Sequence, residues 1–338
     1  MTTSRGAVTV AAALLGLAAA CSNNNNQPGA GTPDGGGVAS NPDGGSADAG
    51  NGSLTTSTAA AADNDKLVFS LALDAAPSPD GNTIYFLAVD PANGPGVFKT
   101  AAAANSTPTL ITSGGSLGSP LALAVSTDGN TIFLADPAAQ TATDQGAIFA
   151  ESAAGGAPSL LPETVDFAPR AVAVSKVGGS DEIVFIGTDK TSGADGVFKD
   201  VSGQVTSVVA GNNPSSIAVA NDGTIYILDQ AGSIARVAPG GTSATALAGA
   251  SQHLDVSFPS GMDLSHDQSA LLVSGFDPAT GNESIARVDI ATGAVTQLVL
   301  TPPLAGGEPG GLHRAANADT YGFVDTGAGN SGTVYLLK

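Results

Sequence analysis

The chain contains one cysteine and no tryptophan among 338 residues, with only four tyrosines and eleven phenylalanines. A lone Cys21 cannot close an internal disulfide, so the fold must stand on packing. Scarce aromatics remove the usual stacking platforms for sugars and bases, which weakens a glycan-binding reading. Basic residues are few: eleven Lys and Arg face thirty Asp and Glu, a formal net charge of -19. Phosphate backbones and anionic lipid surfaces are repelled by such a chain, which argues against nucleic acid as a partner. Motifs that announce a reaction are also missing, since no hydrolase nucleophile elbow, phosphate loop or CxxC pair occurs. The 42% of hydrophobic residues nevertheless suffice for a sizeable core.

What is present begins at the N-terminus. Arg5 is followed by AVTVAAALLGLAAA, an apolar stretch that is short and Ala-rich for a spanning helix, and small residues precede Cys21. Residues 1–20 therefore read as an export signal. LAAAC resembles the lipobox of bacterial lipoproteins, with Ala18 standing where that motif prefers Leu. The resemblance implies cleavage, acylation of Cys21 and lipid anchoring in the bacterial cell envelope, at the outer membrane or cell surface. Each buried CH2 of an acyl chain contributes about 0.8 kcal/mol to such anchoring. An ordinary cleaved signal and a retained anchor are the alternatives. Residues 21–62, rich in Gly, Asn and Pro in their first part, read as a disordered tether with a reach of roughly 35 Å.

Beyond the tether the sequence repeats. SPDGNTIYFLAVDP, starting at Ser78, returns as STDGNTIFLADP, starting at Ser126. Aligned on these turns, Ala72, Pro120, Pro169, Pro214, Pro259 and Pro309 fall 45 to 50 residues apart. Each unit has an apolar run, a tight turn such as Asp80-Gly81, Asp128-Gly129 or Asp222-Gly223, and a second run ending in Asp. A third run follows, as in GVFKT from Gly96 and SIARV from Ser233, and then a fourth, as in TPTLITS from Thr107. Four short antiparallel strands in this period make a propeller blade. The expectation is an all-β, six-bladed β-propeller over residues 63–338, with blades starting near 72, 120, 169, 214, 259 and 309. The last unit stops after its third strand, so its outermost strand should come from residues 53–70.

SPDGNTIYF resembles the turn of TolB-type propellers. NDGTIYILDQAGSIARV, from Asn221, and PSGMDLSHDQSALLVSGF, from Pro259, resemble the NHL and SMP-30/gluconolactonase group. The SMP-30 resemblance implies a divalent metal on the propeller axis, held by acidic and amide residues from different blades. The inner-strand segments SPLALAV, APRAVAV, NPSSIAV, FPSGMDL and EPGGLHR are mostly small or apolar and present no unambiguous ligand set.

Candidate positions follow from irregularities in the repeat. Four residues after the aligned start, the first four units carry Ala76, Ala124, Ala173 and Ala218, whereas the fifth and sixth carry Asp263 and His313. Equal register in adjacent blades should bring Asp263 and His313 together, as a base, a metal ligand or a structural plug of the channel. Asp74, Arg170, Asn213 and Glu308 are the other candidates for the axial channel. His253 and His266 fall in a loop and a turn. The aspartates ending the second runs, Asp90, Asp136, Asp189, Asp229, Asp277 and Asp325, read as turn caps, with calcium in DKTSGADG or DPATGNES as the alternative.

Two functions compete. One is a monomeric, lipid-anchored module that binds an envelope protein or a small ligand. The other is a metal-dependent, gluconolactonase-like hydrolase using Asp263, His313, Asp74 and Glu308.

Overall fold

The computed structural model describes residues 53–61, 68–139, 141, 146–177, 179–211, 213–247, 254–256, 261–304, 307–326 and 332–338. All fall within one compact unit, Ala47–Lys338. The expected signal peptide, Cys21, His253 and Pro259 lie outside the described residues.

Strand β1 (Ser53–Ala61) comes first. The first sheet holds β2 (Ser70–Pro77), β3 (Thr83–Asp90), β4 (Gly94–Ala101) and β5 (Thr109–Ser113). The second holds β6 (Ala122–Val125), β7 (Thr131–Asp136), β8 (Ala147–Ser152) and β9 (Ser159–Leu160). The third holds β10 (Ala171–Val177), β11 (Ser180–Thr188), β12 (Asp195–Asp200) and β13 (Val205–Ala210). The fourth holds β14 (Pro214–Val219), β15 (Ile225–Asp229), β16 (Ile234–Val237) and β17 (Ala244–Ala246). The remaining strands are β18 (Met262–Leu264), β19 (Ala270–Phe276), β20 (Glu283–Asp289), β21 (Val295–Thr301), β22 (Pro309–Arg314), β23 (Tyr321–Asp325) and β24 (Thr333–Leu337). With β1 they form an eight-stranded sheet in the order β18-β19-β20-β21-β1-β24-β23-β22. Among the described residues the only helix is a 3-10 turn at Pro162–Thr164.

Consecutive strands within each group pair antiparallel, and the tight turns between first and second strands have a common chemistry. Ser78, Ser126 and Ser265 each donate their hydroxyl to the carboxylate two residues on, at 2.5, 2.6 and 2.6 Å. Each serine oxygen also accepts the N–H five residues on, from Thr83, Thr131 and Ala270. These bonds hold the carboxylates of Asp80, Asp128 and Asp267 below the usual range, the last two at about 2.

Second and third strands are buried on both faces because each sheet packs against a neighbour on either side, which is why TIYFLAV runs apolar without alternation. Phe69, Phe86 and Phe98 cluster at ring separations of 5.0 to 5.8 Å in one seam, and Phe167, Phe185 and Phe198 cluster in another. Each buried ring contributes roughly 2–3 kcal/mol, and the partly buried Phe167 less. The outermost strands are exposed, as in β5, β9 and β17. The innermost strands β2, β6, β10, β14, β18 and β22 each contact the next, and β22 contacts β2.

The boundary expected at residue 63 is corrected. Ser53–Ala61 is not tether but β1, which pairs antiparallel with β24 from Thr56 opposite Leu337 to Ala61 opposite Thr333. It also runs parallel to β21 over Ser53–Thr55. The physical reason is that β24 presents a free edge, and LTTSTAAA can satisfy it with a chain of small and β-branched residues.

Candidate functional site

Ala76, Ala124, Ala173, Ala218, Asp263 and His313 line one axial cavity of about 110 Å3, on the side where the tight turns gather. A smaller axial cavity of about 30 Å3 lies toward the starts of the inner strands, lined by Asp74, Arg170 and Ser216 among others. His313 borders both cavities and so stands between them.

The bonding at this partition differs from the expected Asp263–His313 pair. His313 Nε2 lies 3.2 Å from the carboxylate of Asp74, which is only 2% exposed. Asp74 also accepts the N–H of Ala75 at 2.9 Å and that of Leu123, on β6, at 2.7 Å. Asp263 accepts the N–H of Leu264 at 2.7 Å and that of Arg314, on β22, at 2.7 Å. Each aspartate thus staples its inner strand to the backbone of the next. Asp263 acts on His313 through its charge alone. Burial by itself pushes the imidazole down, but the charge and hydrogen bond of Asp74, joined by the charge of Asp263, outweigh it and hold His313 above its ordinary value.

Gly311 makes this arrangement possible. Its φ is +55°, and a Cβ there would lie 2.0 Å from Asp74 Oδ1. The GG of EPGGLHR was the sequence signal for such a close approach.

The remaining candidates are scattered. Arg170 lines the smaller cavity, but its guanidinium is held by Asp195 at 2.8 Å and Thr188 at 3.0 Å. Asn213 is exposed and gives its carbonyl to the N–H of Gln230. Glu308 is exposed, and its N–H donates to Asp325 at 3.0 Å. Each stands just before an inner strand, Asn213 before β14 and Glu308 before β22, at the mouth of the axial channel and outside the linings of the two cavities. His266 is exposed at its turn, with Nδ1 3.5 Å from Arg314 Nη1.

The strand-ending aspartates cap turns. Asp90 accepts from Ala92 N and Asn93, Asp136 from Gly118 N, Ser119 N and Ala138 N, and Asp229 from Ala231 N and Ser233 N. In the two loops considered for calcium, Asp189 bonds Thr191 N and Ser192, and Asp277 bonds Ala279 N and Thr280. Among the described residues no group of three or more His, Cys, Asp or Glu is placed to hold a metal. The axial residues do not fit the divalent metal that the SMP-30 resemblance implies: both carboxylates are engaged by backbone N–H groups, and Glu308 is exposed and lines neither cavity.

A buried carboxyl that the sequence did not point to is Glu151 on β8. It is fully buried, neither of its oxygens has a hydrogen-bond partner, and burial pushes it up to about 7.

No known family and no curated protein matches the sequence. The fold, however, is similar to solved structures. TolB from Acinetobacter baumannii matches with a TM-score of 0.50 and 18% identity over 78% of this chain and 65% of that one, less than two thirds of its length. A gluconolactonase, XC5397 from Xanthomonas campestris, matches at 0.55 and 14% identity over 80% and 86% of the two chains. YCF48 bound to D1 peptide matches at 0.50 and 11% identity over 85% and 94%. All are β-propeller proteins, and this chain has an all-β fold of that class, built from four-stranded antiparallel sheets.

Proposed function

We propose that the chain is an exported, lipid-anchored, six-bladed β-propeller that acts as a monomeric binding or interaction module of the bacterial cell envelope. The eight-stranded sheet counts as two blades, β18–β21 and β22–β24 with β1, laid edge to edge. Export and anchoring rest on Arg5, the apolar stretch and LAAAC at Cys21. The observation that carries the binding reading over the hydrolase is the engagement of Asp74 and Asp263 by the backbones of neighbouring strands, which gives both carboxylates a structural task. The similar folds include both a gluconolactonase and a protein bound to a peptide, so the choice rests on the site and not on the fold.

Two measurements test this reading. The wild-type chain should partition with membranes and the Cys21→Ser chain should not. Neither should hydrolyse gluconolactone with calcium, manganese or zinc present. Metal-dependent hydrolysis that disappears in Asp74→Asn and His313→Ala would establish the enzyme instead.

A further inference from the structure

Opposite the inner-strand alanines Ala76, Ala124, Ala173 and Ala218, the second strands carry Tyr85, Phe133, Val184 and Tyr226. Tyr85 packs into the seam with the second sheet, Phe133 into that with the third, and Tyr226 against Met262, Leu264 and Leu271. Val184 faces the fourth sheet, in a seam cluster of Val and Ile that contains no aromatic ring. Where a ring is missing, a cavity of about 200 Å3 opens, walled by Val184, Val208, Val219 and Ile225 and edged by the exposed Gly240 and the half-buried Gly241.

The cation that accompanies the tyrosines has been kept. On the third strands Lys99 lies opposite Tyr85 and Arg236 opposite Tyr226, and Lys199 lies likewise opposite Val184. Lys199 Nζ sits 3.3 Å from Glu182, and both line the cavity. An apolar cavity of about 150 Å3 already accepts a benzene ring. This one combines Val and Ile walls for a ring with Thr206, Ser207, Thr242 and a charged pair for a polar substituent.

We propose that this cleft between the third and fourth sheets, apart from the axial cavities, is a binding site for a phenolic ring supplied from outside the chain. The ring takes the place that Tyr85 and Tyr226 occupy in their own seams, with its hydroxyl beside Lys199 and Glu182.

The test is methyl-resolved NMR of the full chain titrated with p-cresol, toluene and a blocked peptide carrying one tyrosine. Millimolar p-cresol should shift the methyls of Val184, Val208, Val219 and Ile225, and do so at lower concentration than toluene. Lys199→Met should erase that preference. Val184→Tyr, which supplies the ring in cis, should abolish p-cresol binding and raise the melting temperature. Entry of the peptide as well marks a tyrosyl side chain of a partner as the ligand, whereas entry of p-cresol alone marks a free phenol. Absence of methyl shifts at saturating p-cresol, or equal affinity for toluene and p-cresol in the wild type, overturns the proposal. The Lys199 comparison decides the matter even if Val184→Tyr does not fold.

Discussion

His313 Nε2 lies 3.2 Å from the carboxylate of Asp74, although 239 residues separate them in the chain. The contact joins the last inner strand to the first, and Asp74 extends it to the second through Leu123 N–H. Asp74→Ala leaves the imidazole and two backbone donors without their acceptor and should cost roughly 3–5 kcal/mol in chemical denaturation. His313→Ala leaves Asp74 with both backbone donors and should cost less, about 1–3 kcal/mol. In a double-mutant cycle the Asp74–His313 coupling should exceed the Asp263–His313 coupling, which reports only charge. The reverse order would mean that the imidazole turns toward Asp263.

The His313 value lies above its unfolded value, so the folded state holds the proton more tightly. This stability is fully present below the ordinary histidine range near pH 6.5 and is lost as pH rises through the folded value. The groups acting on the ring are Asp74 and Asp263. His313→Gln should flatten the fall in melting temperature above pH 6.5, and an unchanged slope would remove His313 from the titration.

Glu151 adds a second slope of the same sign over a lower window. Its carboxyl stays protonated in the fold up to about 7, whereas the unfolded chain loses the proton near 4.5. Stability from this group is complete below pH 4.5, declines as pH rises to about 7 and levels off above it. Glu151→Gln should be more stable than wild type at pH 8 and nearly equal to it at pH 4. A variant that is less stable at both would show that the carboxylate has a partner when ionised.

Two turn glycines with similar backbone angles should respond differently to alanine. Gly81 and Gly129 have φ of +70° and +76°, where any side chain is strained by about 1–2 kcal/mol. A Cβ at Gly81 would also fall 2.8 Å from Thr320 Oγ1 and 2.9 Å from Ala318 Cβ, whereas at Gly129 the nearest atom is Pro79 Cδ at 3.0 Å. Gly81→Ala should therefore lower the melting temperature more than Gly129→Ala.

Deleting residues 22–50 should leave the melting temperature within a few degrees of wild type, because that segment has no apolar pattern to bury. Extending the deletion through Ala61 removes β1 and bares the edge of β24, and should cause a large drop together with aggregation. Equal behaviour of the two deletions would show that β1 contributes nothing to closure.

The repeat made most of the fold legible. Second strands such as TIYFLAVD and TIFLAD are apolar on both faces, and Asp-Gly turns bound them with strong local chemistry. The outer strands were harder, since β9 is only Ser159–Leu160 and faces solvent, where packing imposes no pattern. The axial row was also legible: the six residues four places after each aligned start do line one cavity. The partner of His313 was not. Irregularities interrupt β2 between Ser70 and Asp74 and β22 between Gly310 and His313. Side chains two apart share a strand face, so Asp74 lies on the axial side of β2 with Ala76, and its carboxylate reaches the imidazole that equal register alone assigns to Asp263. Glu151 left no trace in the sequence, because only packing reveals that a single glutamate near a strand end is shut off from the surface.

The pairing of Thr56 with Leu337 also sets an order of events during synthesis. β1 is made before its antiparallel partner, so although Ser53–Thr55 can meet β21 sooner, Thr56–Ala61 must wait until Thr333–Leu337 have been made. A growing or threading chain therefore cannot lock shut early. It stays open and extensible until β24 arrives, and only then does the first strand gain its antiparallel partner.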